Sequence, residues 1–569
     1  MKESGINYTM IQEKNIQARI SAWMFYIMIF LTVSMPLSEF GMSSAQFLLF
    51  GIWLIEGADF NLPKSDTRNT FRKFMGMIIE NITRKFRKLF RNPALLAFLS
   101  LYILHIVGII YTDDMANGLK DLRIKLPLLS LPIIIATSES LTSKRFVSLI
   151  IFFCLAVFAG SLASMYVLAT RDIGDPRELS VFISHIRFSL QICLAILALL
   201  IIVWKKIYDR TWVNFSLLLL AAWLIYFLFI LKSMTGIVIL GLVTISLVFI
   251  WLFKQKYTTV PAIVLITALF VGGWYYIRDI YKEVSTAQRV DFETLDKKTS
   301  HGNIYIHDTI SYGIEKGKHV GLYIAPGELR DAWNNRSRYD FNGADKKGQS
   351  LKYTLVRYLH SKGYRKDAEG VYKLSAQDVA YIENGIANAN YIGKVNIRGR
   401  VEQSIQGYLS YKKNNNPNAS SMMQRFEYWK TSVFLIGKKP VLGYGTGDLA
   451  ISFEKAYIET DSNLLPEFRH RSHNQFLAIT IAFGIVGLFI FLFALFYPPI
   501  ISNKFFNSLY LVFFLITIIS FITEDTLETQ AGVTFFAFFS SLFLFGIKNH
   551  ADDRFRVNFI YRHKAANKN

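Results

Sequence analysis

Residues 469–496 read RHRSHNQFLAITIAFGIVGLFIFLFALF: two arginines and two histidines lead straight into an apolar segment that holds no Asp, Glu, Lys or Arg. At 1.5 Å rise per residue, such a segment is long enough to cross a hydrocarbon core of roughly 30 Å. Eleven further stretches read the same way, near 20–38, 43–57, 94–112, 122–138, 146–169, 186–204, 213–231, 235–253, 258–276, 505–522 and 530–547. Lys125, Pro127 and Pro132 predict a broken helix in the fourth of these. The charged segment before the first (Lys2, Lys14, Arg19) has no small-residue cleavage site, which predicts a retained span. Composition agrees: of 569 residues, 52% are hydrophobic and only 18% charged, against roughly 25% in a soluble domain.

Orientation follows from Lys and Arg in the short loops. Segment 58–93 carries Lys64, Arg68, Arg72, Lys73, Arg84, Lys85, Arg87, Lys88 and Arg91 interleaved with Phe71, Phe74, Phe86, Leu89 and Phe90, a basic amphipathic stretch suited to the cytoplasmic leaflet. Lys144-Arg145, Lys205-Lys206, Lys254 with Lys256, Lys504 and the tail from Lys548 fall on the same side. Asp113, Asp114, Asp172, Asp175, Glu178, Glu524, Asp525 and Glu528 fall on the other. The expected architecture is an all-α integral membrane protein of about twelve transmembrane helices with both termini cytoplasmic. Its parts are a membrane domain 1–276, a large and mostly helical outer loop domain 277–473 between the ninth and tenth helices, a membrane domain 474–547 and a tail 548–569. In the loop domain, strand signals stand at 301–306 and 320–324, helical patterns at 349–363 and 376–388, and an Asn-rich loop at 411–420. The net charge of +21 then points to phospholipid surfaces and not to nucleic acid.

The chemistry is narrowed by exclusion. There is no phosphate-binding Walker sequence, no Gly-rich dinucleotide turn, no HExxH and no Cys/His metal spacing. The two cysteines, Cys154 and Cys193, lie inside apolar runs, so neither a disulfide framework nor a thiolate metal site is indicated. The spans are nearly free of Asp and Glu, which argues against a cation-coupled transporter. What remains are cations and imidazoles at outer span ends: Arg187, Lys232, Arg425, and Arg469, His470, Arg471 and His473. Cations converging beside an imidazole at a helix start suit a ligand with phosphates and a hydroxyl to be positioned or deprotonated. No acidic cluster is expected at this mouth, so a metal-independent reaction with no cofactor is expected.

His473-Asn474, nine residues, then Gly484-Ile-Val-Gly487 resembles the signature that closes the large periplasmic loop of bacterial O-antigen ligases (WaaL) and their relatives, the Wzy-type O-antigen polymerases. Arg425-Phe-Glu-Tyr-Trp429 followed by Pro440-Val-Leu-Gly443-Tyr-Gly445-Thr-Gly447 resembles the family's Arg and Gly-x-Gly segment. The resemblance implies an inverting, metal-independent glycosyltransferase of the inner membrane whose site faces the periplasm. Its donor would be an undecaprenyl-diphosphate-linked glycan. Its acceptor would be lipid A–core oligosaccharide in a ligase, another lipid-linked repeat in a polymerase, or a protein in an O-oligosaccharyltransferase. His473 would be catalytic, and Arg187, Arg425 and Lys232 would bind the diphosphate. Asn474, Arg469, Arg471 and His185 are further candidates, and Gly484 and Gly487 are structural. One departure stands out: where relatives carry Ser-Arg-x-Gly, this chain reads Ser233-Met234-Thr235-Gly236, leaving Lys232 to supply the charge.

Each residue has a plainer reading too. Arg187 could snorkel to headgroups, Arg425 could pair with Glu427 or Glu454, Arg469 and Arg471 could be interfacial charges, and His185 could be a packing residue. Glu328 and Trp333 could contact sugar or merely build the loop domain. Ligation onto lipid A–core ranks first, the other acceptors second, and a flippase third, because a flippase needs a cationic path through the whole bundle.

Overall fold

A computed structural model of the chain describes residues 2–58, 67–171, 176–253, 259–286, 289–315, 317–346, 348–392, 397–418, 420–547 and 555. Lys64, Asp172, Asp175, Lys254, Lys256 and Lys548 lie outside them. The protein is mostly helical. Among the described residues, strands form only two short antiparallel ladders, Ile306–Asp308 with Gly321–Ile324 and Ile314–Glu315 with Lys318–His319. All twelve apolar segments fall on helices. Among the described residues, six helices are long and apolar enough to cross a membrane, or seven if the bent pair Phe74–Phe90 and Pro93–Ile109 is one span. Four apolar helices are shorter: Glu39–Ile55, Met234–Ile250, Ser508–Thr523 and Gln530–Phe545.

Local sequence accounts for the irregularities. The fourth segment is two helices, Met115–Lys125 and Pro127–Thr137, divided at Leu126. Pro127 has no N–H to donate backwards, but its fixed φ suits the first turn of a new helix. Asp114 caps the first piece by accepting from the Asn117 amide. The basic stretch forms the helix Thr67–Phe90, bent by 96° from the helix that follows. Lys85 is a departure from a fully solvated basic face: it is buried, with Nζ 2.9 Å from Glu56 Oε2. The Asn-rich loop is shorter than expected, because the helix Ile397–Asn414 runs into it.

The chain forms two compact units: residues 1–256 with 425–462 and 466–569, and residues 257–424 with 463–465. Leu351, Leu355, Tyr358, Leu359 and Trp333 centre the core of the second. Arg425–Ser462 therefore pack with the apolar helices of the first unit, and so with the His473 segment.

A break in the helix Gln475–Ile501 organises this part. Gly484 has φ 65° and ψ −165°, outside any helical conformation and open to glycine. The break frees backbone groups on both sides, and the loop 440–445 takes them up. Tyr444 N–H donates to Ile481 O (3.0 Å) and Gly445 N–H to Ala482 O (2.8 Å), while Ile485 N–H donates to Pro440 O (2.8 Å). The loop fits only because its glycines are bare. A Cβ on Gly443 would stand 2.4 Å from Ile481 O, one on Gly447 2.1 Å from Asp114 O, and one on Gly484 2.0 Å from Val441 O. The two glycine motifs, some forty residues apart, are thus two sides of one joint.

Gly484→Ala should cost about 1–3 kcal/mol from backbone conformation alone, with more from the clash. Gly437→Ala, where a Cβ meets nothing within 4 Å, should leave the thermal midpoint in detergent within a degree or two. Equal midpoints for the two variants would count against the joint.

Candidate functional site

The segment leading into the break is held by three aromatic donors. Tyr428 OH donates to Phe468 O (2.7 Å), Tyr457 OH to His470 O (2.6 Å) and Trp429 Nε1 to Ser472 O (3.1 Å). The chain passes His473 at φ 45°, a left-handed turn that costs a non-glycine residue about 1–2 kcal/mol. Asn474 then caps the helix by accepting from Leu477 N–H (3.1 Å). Its Nδ2 donates to Ile522 O (3.0 Å), tying the cap to the turn between the last two apolar helices.

That turn, Glu524-Asp525-Thr-Leu-Glu528, supplies three buried carboxylates. Glu524 bridges two of the expected site residues: Oε1 lies 2.7 Å from Arg425, and Oε2 lies 3.3 Å from His473 Nδ1. Asp525 Oδ1 is 3.9 Å from the same imidazole and its Oδ2 3.7 Å from Arg471. Glu528 accepts from Lys125 (3.0 Å), Arg471 (3.3 Å) and Gln475 (3.2 Å). Lys125 also pairs with Asp121. Arg187, 7% exposed, donates through Nε to Thr529 Oγ1 (3.2 Å) and through NH2 to the Asp525 carbonyl (3.4 Å). Four cations therefore face four carboxylates, and among the described residues the hydrogen bonds of Arg187 go only to neutral acceptors.

The carboxyls differ in their electrostatics. Burial pushes Glu524 upward, but the His473 hydrogen bond and the Arg425 charge outweigh it and hold the group below the usual carboxylate range. Glu528 also lies low, because Lys125 and Arg471 outweigh its burial. Asp525 goes the other way: burial raises it, Glu528 adds to the rise, and Arg471 offsets only part. A Glu524 carboxylate can only accept, so the His473 proton sits on Nδ1 and the Nε2 lone pair is left over. Among the described residues, Nε2 has no hydrogen-bond partner.

The structure thus brings together Arg187, Arg425, Arg471, His473 and Asn474. Arg425 pairs with Glu524, and not with Glu427 or Glu454. His185 Nε2 bonds the Leu231 carbonyl (2.8 Å), beside the turn that carries Lys232. Among the described residues the Lys232 side chain makes no ion pair or hydrogen bond. Arg469 lies over the Tyr457 ring at 6.0 Å. Met234 opens its helix; Ser233 caps it, and Gly236 packs where a Cβ would meet Ser189 at 2.7 Å.

In the loop domain, Glu328 accepts from Thr299 (2.5 Å) and Asn303 (2.7 Å). Trp333 is fully buried, with Nε1 donating to Tyr339 O (2.8 Å), so both build that unit.

One expectation is corrected. The surroundings of His473 do have an acidic cluster, and His473, Glu524 and Asp525 offer ligand atoms within 4.8 Å of one another. The sequence places these acids in an outer loop but gives no sign that they are buried against the arginines. Three carboxylates within five residues, wedged between two strongly apolar helices, were the available signal.

A multi-helix membrane protein with a buried, charge-balanced histidine site is the class so defined. Residues 385–492 match the family model described as O-antigen ligase, a span that takes in Arg425, the 440–447 loop, His473 and the Gly484 break. A comparison with the curated proteins finds no match.

Two substitutions should move stability in opposite directions. A carboxyl with a depressed folded pKa stabilises above its unfolded pKa, and that contribution is lost as pH falls through the folded one. Glu528→Gln should therefore cost about 3 kcal/mol at neutral pH, as for breaking a buried pair, with the deficit vanishing in strong acid. Asp525 has a raised folded pKa, so Asp525→Asn should raise the midpoint at neutral pH, with the gain fading below the usual carboxylate range. Thermal unfolding from pH 3 to 8 checks both signs.

Proposed function

We propose that this chain transfers a glycan from undecaprenyl diphosphate onto lipid A–core oligosaccharide at the periplasmic face of the bacterial inner membrane. The observation that carries the proposal is Glu524, which holds Arg425 and His473 on one carboxylate inside a segment that matches the O-antigen ligase family. In this reading Pro93–Ile109, the four shorter apolar helices and the broken Met115–Thr137 pair also span, giving twelve crossings with both termini cytoplasmic.

The chemistry follows from what each group has to spare. Arg187, bonded only to neutral acceptors, takes phosphate oxygens. Arg425 reaches the same diphosphate by sharing its guanidinium between Glu524 and the donor. The acceptor hydroxyl attacks the anomeric carbon from the face opposite the diphosphate, and the anomeric C–O bond breaks to release undecaprenyl diphosphate. His473 Nε2 accepts the hydroxyl proton, and Glu524 stabilises the imidazolium that forms. The charge a metal would supply to the leaving group comes from the arginines, so the reaction proceeds without one.

His473→Ala should then lower turnover with little change in donor affinity. Arg187→Ala and Arg425→Ala should each weaken binding of fluorescent undecaprenyl diphosphate by roughly ten- to a hundredfold, the value of one charge-assisted contact. Intact binding in both arginine variants would overturn the assignment. Activity should persist in excess chelator, and rescue of a chelated enzyme by magnesium or manganese would instead make His473, Glu524 and Asp525 ligands. Disrupting the gene should strip all O-antigen from lipid A–core on a gel, whereas a single repeat left on the core would indicate the polymerase. A periplasm-dependent reporter should be active at residue 350 and silent after Lys548.

A further inference from the structure

The helix Ser421–Lys438 carries Arg425 near its start and Lys438 at its end, about 20 Å apart at 1.5 Å per residue. At that far end, within the same unit, an open cleft of about 840 Å³ lies between the helix terminus, the helix Leu449–Glu459 and the turn at 113–116. Several of its charges are already committed. Lys438 pairs with Glu459. The Asp448 carboxylate accepts from the backbone N–H groups of Asp113 (2.9 Å) and Asp114 (2.7 Å), fixing that wall.

Others are not committed. Lys455 is exposed and, among the described residues, makes no ion pair or hydrogen bond. Among the described residues, the Lys439 ammonium has only the half-buried Tyr444 ring, 4.6 Å from its centroid. The exposed Asp113 carboxylate is likewise unpaired among the described residues. Two spare cations, an aromatic face and a spare acceptor lining one cleft ask for a ligand that is at once anionic, ringed and rich in hydroxyls.

We propose that this cleft binds an acidic saccharide. Lys439 and Lys455 take its phosphate or carboxylate, Tyr444 lies along a sugar ring, and Asp113 accepts from hydroxyls. The role we give it, a grip on the charged part of the acceptor while a hydroxyl further along reaches His473, rests on the ligase reading above.

The test uses the full-length protein in nanodiscs of neutral lipid. Its probes are phosphorylated, carboxylated and neutral oligosaccharides, among them delipidated core oligosaccharide with and without phosphatase treatment. Acidic probes should bind and neutral ones should not. Lys439→Ala and Lys455→Ala should each weaken binding roughly tenfold or more, and Lys455→Arg should retain it. Both lysines are exposed, so the variants should fold. Unchanged affinity in the double alanine variant, no binding of any acidic probe, or binding of phosphatidylglycerol alone would overturn the site. Lysine-dependent binding of acidic glycans other than core, with no glycan transfer, would sustain the cleft and overturn the ligase reading, so the two fail separately.

Discussion

An apolar helix that breaks inside a low-dielectric environment must find partners for the N–H and C=O groups it frees, because each one left bare costs several kcal/mol. In this protein the break at Gly484 is satisfied by the backbone of one loop, 440–445, and much else depends on that match. The loop fixes the end of the Arg425-bearing helix. The first piece of the broken helix, capped by Asn474, fixes His473 at its mouth. Moving either side of the joint would move Arg425 or His473.

The site achieves its electrostatics by balance and not by excess cation. Lys125 and Arg187, which lie buried, would carry a heavy desolvation penalty without counter-ions. Asp121, Glu524, Asp525 and Glu528 offset it, and they also aim the side chains they pair with. In the proposed function, a pocket so balanced would take its donor by exchanging partners, with phosphates replacing or sharing a carboxylate. Glu524 is the point of exchange, since it touches both the expected phosphate ligand and the expected base. Arg187 needs no exchange, because nothing charged is hydrogen-bonded to it.

The aromatic donors around 466–474 serve the same end by different means. Tyr428, Trp429 and Tyr457 each spend a polar hydrogen on a backbone carbonyl of that segment. The strained φ of His473 is held by these contacts and by the Asn474 cap. A stiff segment keeps the imidazole in register with Glu524, which a flexible loop of the same sequence would not do.

Hydrophobic runs, prolines and the charge bias of short loops made the helices legible from the sequence, including the division at Pro127, because those features act over a few residues. The His-Asn and glycine motifs marked His473, Asn474 and the Arg425 segment for the same reason. The sequence could not show that Gly443 and Gly484 form one joint, that Glu524 and not Glu427 takes Arg425, or that Lys125 belongs to the same network as Arg471. Those outcomes depend on which distant backbone groups meet and which charges are buried together, and separation along the chain carries no information about either. Composition and periodicity decided the helices, and short motifs the family resemblance; only the packing of helix ends against one another decided which charges share a site.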